Sequence, residues 1–372
     1  MDNLTHALTG AVIAKAGAER ATPLATATLV VAANAPDVDM ASYLGGAYYA
    51  LSFRRGITHG WPAMIVLPLL VTAAILAWDR WVRRRRDAGA ASARAGPVLA
   101  LAAVGVATHP TLDWMNTYGM RWGLPFDGGW SYGDALFIID PWIWLALGGA
   151  VFLASDPSRG WLALWLGLAA VASALVLWGV PAARLPWTLG VAAVVALRLS
   201  GRPATSTGMR RTARLSAAAV VLYVIALTLA DEAARGHVVA TAEGAGLTVR
   251  DVMVAPVRGN PFASEVEVVT PDSYVPGAYD WLGEVRVELF PERAVPLLQA
   301  PADMGPGAVQ DVLARARADP QVRDYLAWSR YPYARVERDG TGWRVRYADA
   351  RYDAVPEAGS LAGVGVRVPA SP

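Results

Sequence analysis

The chain has 372 residues, 55% of them hydrophobic and 17% charged, with no cysteine and a formal net charge of +2. This balance excludes an ordinary soluble protein, and without cysteine there is neither a disulfide nor a thiolate metal site, so any metal must be held by nitrogen and oxygen. The net charge gives no support to nucleic-acid binding, because it sums two unlike halves: residues 1–230 carry 18 basic and 11 acidic side chains, and residues 231–372 carry 15 and 20.

The long apolar runs fall almost wholly before Asp231. That change of solvent, from lipid to water, divides the chain into a multi-helix membrane domain over residues 1–231 and a soluble domain over residues 232–372.

The first two segments, residues 4–18 and 23–35, are short and read as a helical hairpin turning at residues 17–22. There is no basic n-region, and His6 and Lys15 interrupt the apolar stretch, so the N-terminus does not read as a signal peptide and is expected to remain in the mature protein. Asp2 precedes His6 by four residues and shares a helical face with it, either as a metal ligand or as the helix cap. The second segment ends in Asn34-Ala35-Pro36-Asp37-Val38-Asp39. Carboxylates at i and i+2 in a proline-containing turn suit the bridging or flanking of metal ions, and a polar segment end is the plainer alternative.

Arg54-Arg55-Gly56-Ile57-Thr58-His59 leads into the third segment, Trp61–Trp78. His59 is a candidate ligand. Arg55 is a candidate bidentate clamp for an anionic substrate, with an interfacial basic pair meeting lipid headgroups as the alternative. After Arg80, Arg83, Arg84, Arg85, Arg86 and Arg94, the fourth segment, residues 97–112, ends at His109-Pro110-Thr111-Leu112-Asp113. His-x-x-x-Asp sets a nitrogen and an oxygen donor one helical turn apart, and Pro110 distorts the turn without separating them. Asn116 and Tyr118, in the following loop, are candidate substrate contacts. Asp140 is either a further ligand or a cap before Pro141 at the first helical position.

Segments at residues 142–154, 161–180, 186–199 and 215–230 bring the total to eight. The arginine loop after Trp78 and a second one with Arg202, Arg210, Arg211 and Arg214 belong in the cytoplasm by the positive-inside rule. Eight crossings then put both termini and the soluble domain outside, and bring the pairs Thr5-His6, Thr58-His59 and Thr108-His109 to one extracytoplasmic face. An ionisable cluster at membrane depth is a functional signal. The fourth histidine, His237, has no carboxylate at helical spacing and reads as a surface residue.

Beyond Asp231, strand patterns at residues 247–254, 265–269, 284–290, 334–338 and 343–347 and helical patterns at 308–317 and 322–328 predict a small α+β domain. It is expected either to cap the membrane site or to be a passive extracytoplasmic module. The chain has no His-Glu-x-x-His, no Gly-x-Ser-x-Gly and no phosphate-cradling Gly-Lys-Ser/Thr loop.

Met1-Asp2-x-x-Thr5-His6, Pro36-Asp37-x-Asp39, Arg55-Gly56-x-Thr58-His59, His109-x-x-x-Asp113 with Asn116-Thr117-Tyr118-Gly119, and Asp140-Pro141 occur in this order. Together they resemble the membrane-bound metal-dependent hydrolases related to YdjM and YfhP, often described as LexA-regulated. The likeness covers about the first 230 residues, with a looser one around Asn260-Pro261-Phe262 and Trp328-Ser329-Arg330. It implies ligand roles for His6, Asp37 or Asp39, His59, His109 and Asp113, and a distant kinship with zinc-dependent phospholipases C and single-strand nucleases. Arg54 stands where many relatives have histidine, and Gly60 where they have serine. The first alters an auxiliary ligand position; the second removes a hydrogen-bond donor.

The expectation is therefore an all-α polytopic membrane domain of about eight helical segments, followed by a small extracytoplasmic α+β domain, in a bacterial inner membrane. Two or three divalent ions, with zinc favoured and manganese or magnesium compatible, would activate water against a phosphoester of a lipid or lipid-linked substrate, one of Asp37, Asp39 and Asp113 accepting the proton. The alternative is a non-enzymatic membrane protein with a structural metal site or an ion pathway.

Overall fold

A computed structural model describes residues 1–155, 158–201, 205–352 and 356–370. The chain forms two compact units: Met1–Val38, Arg55–Glu232 and Ala255–Ala263 make the first, and Asp39–Arg54, Ala233–Val254 and Ser264–Pro372 the second.

The first unit is built on helices α1 (Asn3–Lys15) and α2 (Ala25–Asn34). At 1.5 Å per residue these are about 20 and 15 Å long, short of the ~30 Å hydrocarbon core of a bilayer. The first two expected spans are thus half-length helices that pack inside the unit. Leu29, Ala32 and Ala33 of α2 have no exposed surface.

α3 (Ala47–Phe53) belongs to the second unit. Then come α4 (Trp61–Trp78), continuing in helical form to Arg86, α5 (Ala95–Trp114), α6 (Pro141–Leu153), α7 (Arg159–Gly179), α8 (Arg184–Leu199) and α9 (Ser206–Gly244). Among the described residues five helices, α4, α5, α7, α8 and α9, are long and apolar enough to cross a membrane, and α6 is apolar but shorter. All eight expected segments are helical, but only these five have a span's length. Arg202 of the second arginine loop lies outside the described residues.

Glycine lets the central helices meet. A Cβ on Gly10 of α1 would sit 2.6 Å from the Leu29 carbonyl oxygen, and one on Gly105 of α5 would sit 2.7 Å from the Ala32 Cβ. Small residues at both crossings bring α1 and α5 close to α2. Gly105, His109 and Asp113 follow one another at i, i+4 and i+8, so the face of α5 that presses on α2 also carries the two polar side chains.

In the second unit the end of α9, through Ala234, Val238 and Ala242, packs against Val252, Val254, Val266, Val268 and Val275. The first sheet has the order β1 (Asp251–Val257), β2 (Asn260–Val269), β3 (Ser273–Asp280), β4 (Val287–Leu289), with β5 (Val295–Pro296) also pairing with β3. The second runs β6 (Leu298–Gln299), β7 (Pro332–Asp339), β8 (Gly342–Asp349), β9 (Val364–Val368). Two helices, α10 (Pro306–Arg317) and α11 (Pro320–Trp328), complete it.

The α+β expectation holds for this unit, with four strands that the patterning missed: β3, β9 and the two-residue β5 and β6. β3 carries Pro276 and Gly277, which interrupt its alternation, and β9 is only five residues long. The expected strand at 284–290 shortens to β4. α3 also belongs here: its Tyr48 hydroxyl donates to the Gly363 carbonyl at 3.1 Å and its Ser52 hydroxyl to Asp324 at 3.1 Å.

Asp349 is fully buried and accepts from the Ser329 hydroxyl at 2.6 Å and the Arg330 amide at 2.8 Å, with Arg351 paired to it at 2.8 Å. Burial alone would raise its carboxyl; Arg351 and these donors hold it down at about 2. Neighbouring Glu267 is pushed up to about 8, by burial first and then by Asp349 and Glu265.

Candidate metal centre

Among the described residues, one group of histidines and carboxylates can hold a metal ion: Asp37, His59, His109 and Asp113, with one donor atom of each lying within 4.8 Å of all the others. Three chain segments bring them together. Asp37 follows α2 in a 3-10 stretch, Ala35–Gly45, His59 stands two residues before α4, and His109 and Asp113 share the inner face of α5. Both histidines and Asp113 are buried, while Asp37 is partly exposed.

The two imidazoles are oriented by what their outer nitrogens touch. His109 Nδ1 lies 2.6 Å from the Ala33 carbonyl oxygen, so it carries the proton and leaves the Nε2 lone pair facing inward. His59 Nδ1 lies 2.9 Å from the Thr58 hydroxyl, and its Nε2 is 3.2 Å from that of His109. Two nitrogens on one tetrahedral ion at 2.0–2.1 Å would be about 3.3 Å apart. The donor set therefore fits a divalent metal in both chemistry and spacing.

Asp113 is the electrostatic hub. Its carboxylate meets Arg55 Nε at 2.8 Å, His6 Nε2 at 3.2 Å, His59 Nε2 at 3.4 Å and His109 Nε2 at 3.7 Å, and it also pairs with the Met1 amine. Arg55 is itself buried, with a backbone φ of 54° that is uncommon outside glycine. This turn aims its guanidinium inward, where it also donates to Asn116 Oδ1 at 2.6 Å and lies under the Tyr118 ring at 4.7 Å. Arg55, Asn116 and Tyr118 were expected at the substrate; here Arg55 and Asn116 buttress Asp113. The Asn116 amide nitrogen is buried without a hydrogen-bond partner.

His6 is adjacent to the four-residue group. Its ring stacks on that of His109, with centroids 3.7 Å apart and planes at 17°, and its buried Nδ1 has no hydrogen-bond partner. The three histidines of the Thr-His pairs do converge.

The remaining candidates are occupied otherwise. Asp2 caps α1, accepting from the Thr5 amide at 3.0 Å, the Thr5 hydroxyl at 2.6 Å and the Trp144 indole at 3.2 Å. Asp140 caps α6, accepting from the Trp142 and Ile143 amides and from the Tyr223 hydroxyl at 3.0 Å. Asp39 belongs to the second unit, where Arg54 faces it at 3.5 Å. His237 is exposed, with Nδ1 2.8 Å from the Tyr279 hydroxyl.

Asn3 is a participant that spacing did not single out: its amide donates to Asp37 at 2.8 Å and tethers the most accessible donor to α1. Its place inside Met1-Asp2-x-x-Thr5-His6 was the only available signal.

The three threonines have different roles. Thr5 completes the Asp2 cap, Thr108 bonds back to the Gly105 carbonyl at 2.7 Å, and only Thr58 touches an imidazole. Thr58→Val is therefore expected to weaken metal binding about tenfold, and Thr108→Val to leave it unchanged, by chelator competition on the purified protein. Equal affinities in the two variants would remove Thr58 from the centre.

Comparison with known proteins gives the same direction for the helical part. No curated protein and no solved structure matches the chain. The model of the family described as YdjM inner membrane protein matches residues 1–183, a stretch that contains the whole metal-binding group, and over that stretch the chain is similar to this family.

Proposed function

We propose that the chain is a metal-dependent hydrolase of the inner membrane that cleaves a phosphoester of a lipid or lipid-linked substrate at the extracytoplasmic face. The observation that carries this is the convergence of two oriented imidazoles and two carboxylates within one membrane-type helical unit. A bound divalent ion would supply Lewis-acid polarisation of a phosphoryl oxygen and a water of lowered pKa. With two nitrogen donors in the set, zinc is favoured over manganese or magnesium. The four donors suit one ion, and His6 is the donor available for a second.

The chain's own residues supply the rest. Ala33 and Thr58 hold the imidazoles in register, and Arg55 pairs with the Asp113 carboxylate and fixes its position. Asp37, partly exposed and tethered by Asn3, is the group placed to accept a proton from water. The Asn116 amide nitrogen is a free buried donor for a substrate oxygen.

A second reading, a structural metal site without catalysis, is favoured by one observation: three of the four donors are buried. Metal analysis of the purified protein, joined to a panel of phospholipid, lipid diphosphate and amide substrates, separates the two. Hydrolysis of a lipid phosphoester that chelation abolishes and zinc restores is the expected result. Full metal content with no cleavage across the panel would establish the structural reading.

A further inference from the structure

An apolar slot of about 110 Å³ opens between α1, α6, α7 and α8. Its long walls run from Trp144 to Phe152 on α6 and from Trp187 to Val195 on α8. Eight steps of 1.5 Å along each helix make it about 12 Å long, so it is narrow and parallel to the helices.

The slot presents almost nothing but carbon. Three tryptophans line it, and each turns its indole N–H elsewhere: Trp144 to the Thr5 hydroxyl at 3.0 Å, Trp165 to Ser155 at 3.1 Å and Trp187 to Ser173 at 3.0 Å. Water has no partner in such a space and is not retained there. A helix, about 10 Å across, is too wide for it. The surroundings decide the occupant: the apolar windows of α7 and α8 bury only 11% of their residues within the protein, so the slot is continuous with a surface that faces lipid hydrocarbon.

The slot also backs onto the metal centre. Leu4 and Leu8 of α1 line it, while His6 between them turns the opposite way, to Asp113. The Trp144 ring forms its wall, and the N–H of the same ring holds the Asp2 cap from which α1 starts. One helix therefore separates a single-chain slot from the candidate donors.

We propose that this slot seats one acyl chain of the lipid substrate, with the lipid's polar end at the level of His6 and Asp2; the substrate assignment rests on the hydrolase reading, whereas occupation by an acyl chain does not. The chain aligned along α1 fixes the lipid in depth and rotation before any chemistry, and it selects for a lipid with a long chain over the soluble headgroup.

The test uses the full chain in nanodiscs containing phosphatidylglycerol with a diazirine on one acyl chain, with photolabelled positions mapped by peptide mass spectrometry. Labels concentrated on Leu8, Gly148 and Ala169, saturating with the mole fraction of probe and displaced by unlabelled long-chain but not dihexanoyl lipid, are the expected result. A Cβ on Gly148 would make an ordinary 3.7 Å contact with Leu8, so Gly148→Leu extends into the slot and is expected to cut this labelling at least about fivefold while leaving metal content unchanged.

Labels spread evenly over α7 and α8 without saturation, or found on a second copy of the chain, would overturn the proposal. So would undiminished labelling of a folded Gly148→Leu variant; if that variant does not fold, saturation and competition in the wild type decide. Labelling requires no turnover. Retained slot labelling with no hydrolysis would therefore sink the hydrolase reading alone, and hydrolysis without slot labelling would sink the acyl slot alone.

Discussion

Asp113→Asn is expected to remove metal binding and to destabilise the helical unit by about 3–5 kcal/mol, since it leaves a buried arginine without its counter-charge. The size follows from burial: Arg55 is 3% exposed and Asp113 1% exposed, and the guanidinium is in direct contact with the carboxylate at 2.8 Å. An uncompensated cation at that depth has no water to turn to. The double variant Asp113→Asn, Arg55→Met removes both charges and is expected to recover a substantial part of the stability while recovering none of the metal. Denaturation in detergent micelles with metal stoichiometry on the same samples reads both effects. A single variant as stable as wild type and still metal-loaded would show that Asp113 is neither hub nor ligand.

The second large effect is expected at His109. Its Nε2 lies 3.2 Å from His59 Nε2 and 3.7 Å from Asp37, so its loss removes one of the two donors that α5 supplies and the one closest to the His59 nitrogen. His109→Gln keeps much of the volume beside His6 while removing the imidazole lone pair. It is expected to lower metal affinity at least about 100-fold, or roughly 2.8 kcal/mol. His237→Gln, in the second unit, is expected to change nothing. Chelator competition on the three proteins is sufficient, and an affinity for the His109 variant within about threefold of wild type, well under 1 kcal/mol, would exclude that histidine as a ligand.

How much of this was legible in the sequence differs by residue. His59, His109 and Asp113 were visible because histidines beside apolar segments are costly unless used, and because i, i+4 spacing on a helix is a local property. Asp37 and Asp39 looked equivalent, two residues apart in one turn. Tertiary structure separates them, since the chain passes from one unit to the other between Val38 and Asp39. Asp2 and Asp140 were poised between ligand and cap, and the nearby indole of Trp144 and hydroxyl of Tyr223, far away in sequence, join the caps. Helix count was only partly legible. Composition shows that a segment is apolar, but α1 and α2 are buried by protein, and only packing distinguishes this from burial by lipid.

The sequence by itself determined the solvent of each half, the helical character of the membrane part, and the nitrogen and oxygen chemistry of any metal centre. These follow from hydropathy, periodicity and side-chain inventory, which are local quantities. Only the tertiary structure decided which carboxylates meet the histidines, that Arg55 braces Asp113, and that α3 belongs with the second unit. Each depends on groups brought within hydrogen-bonding distance by chain segments tens to hundreds of residues apart, and no local pattern encodes that proximity.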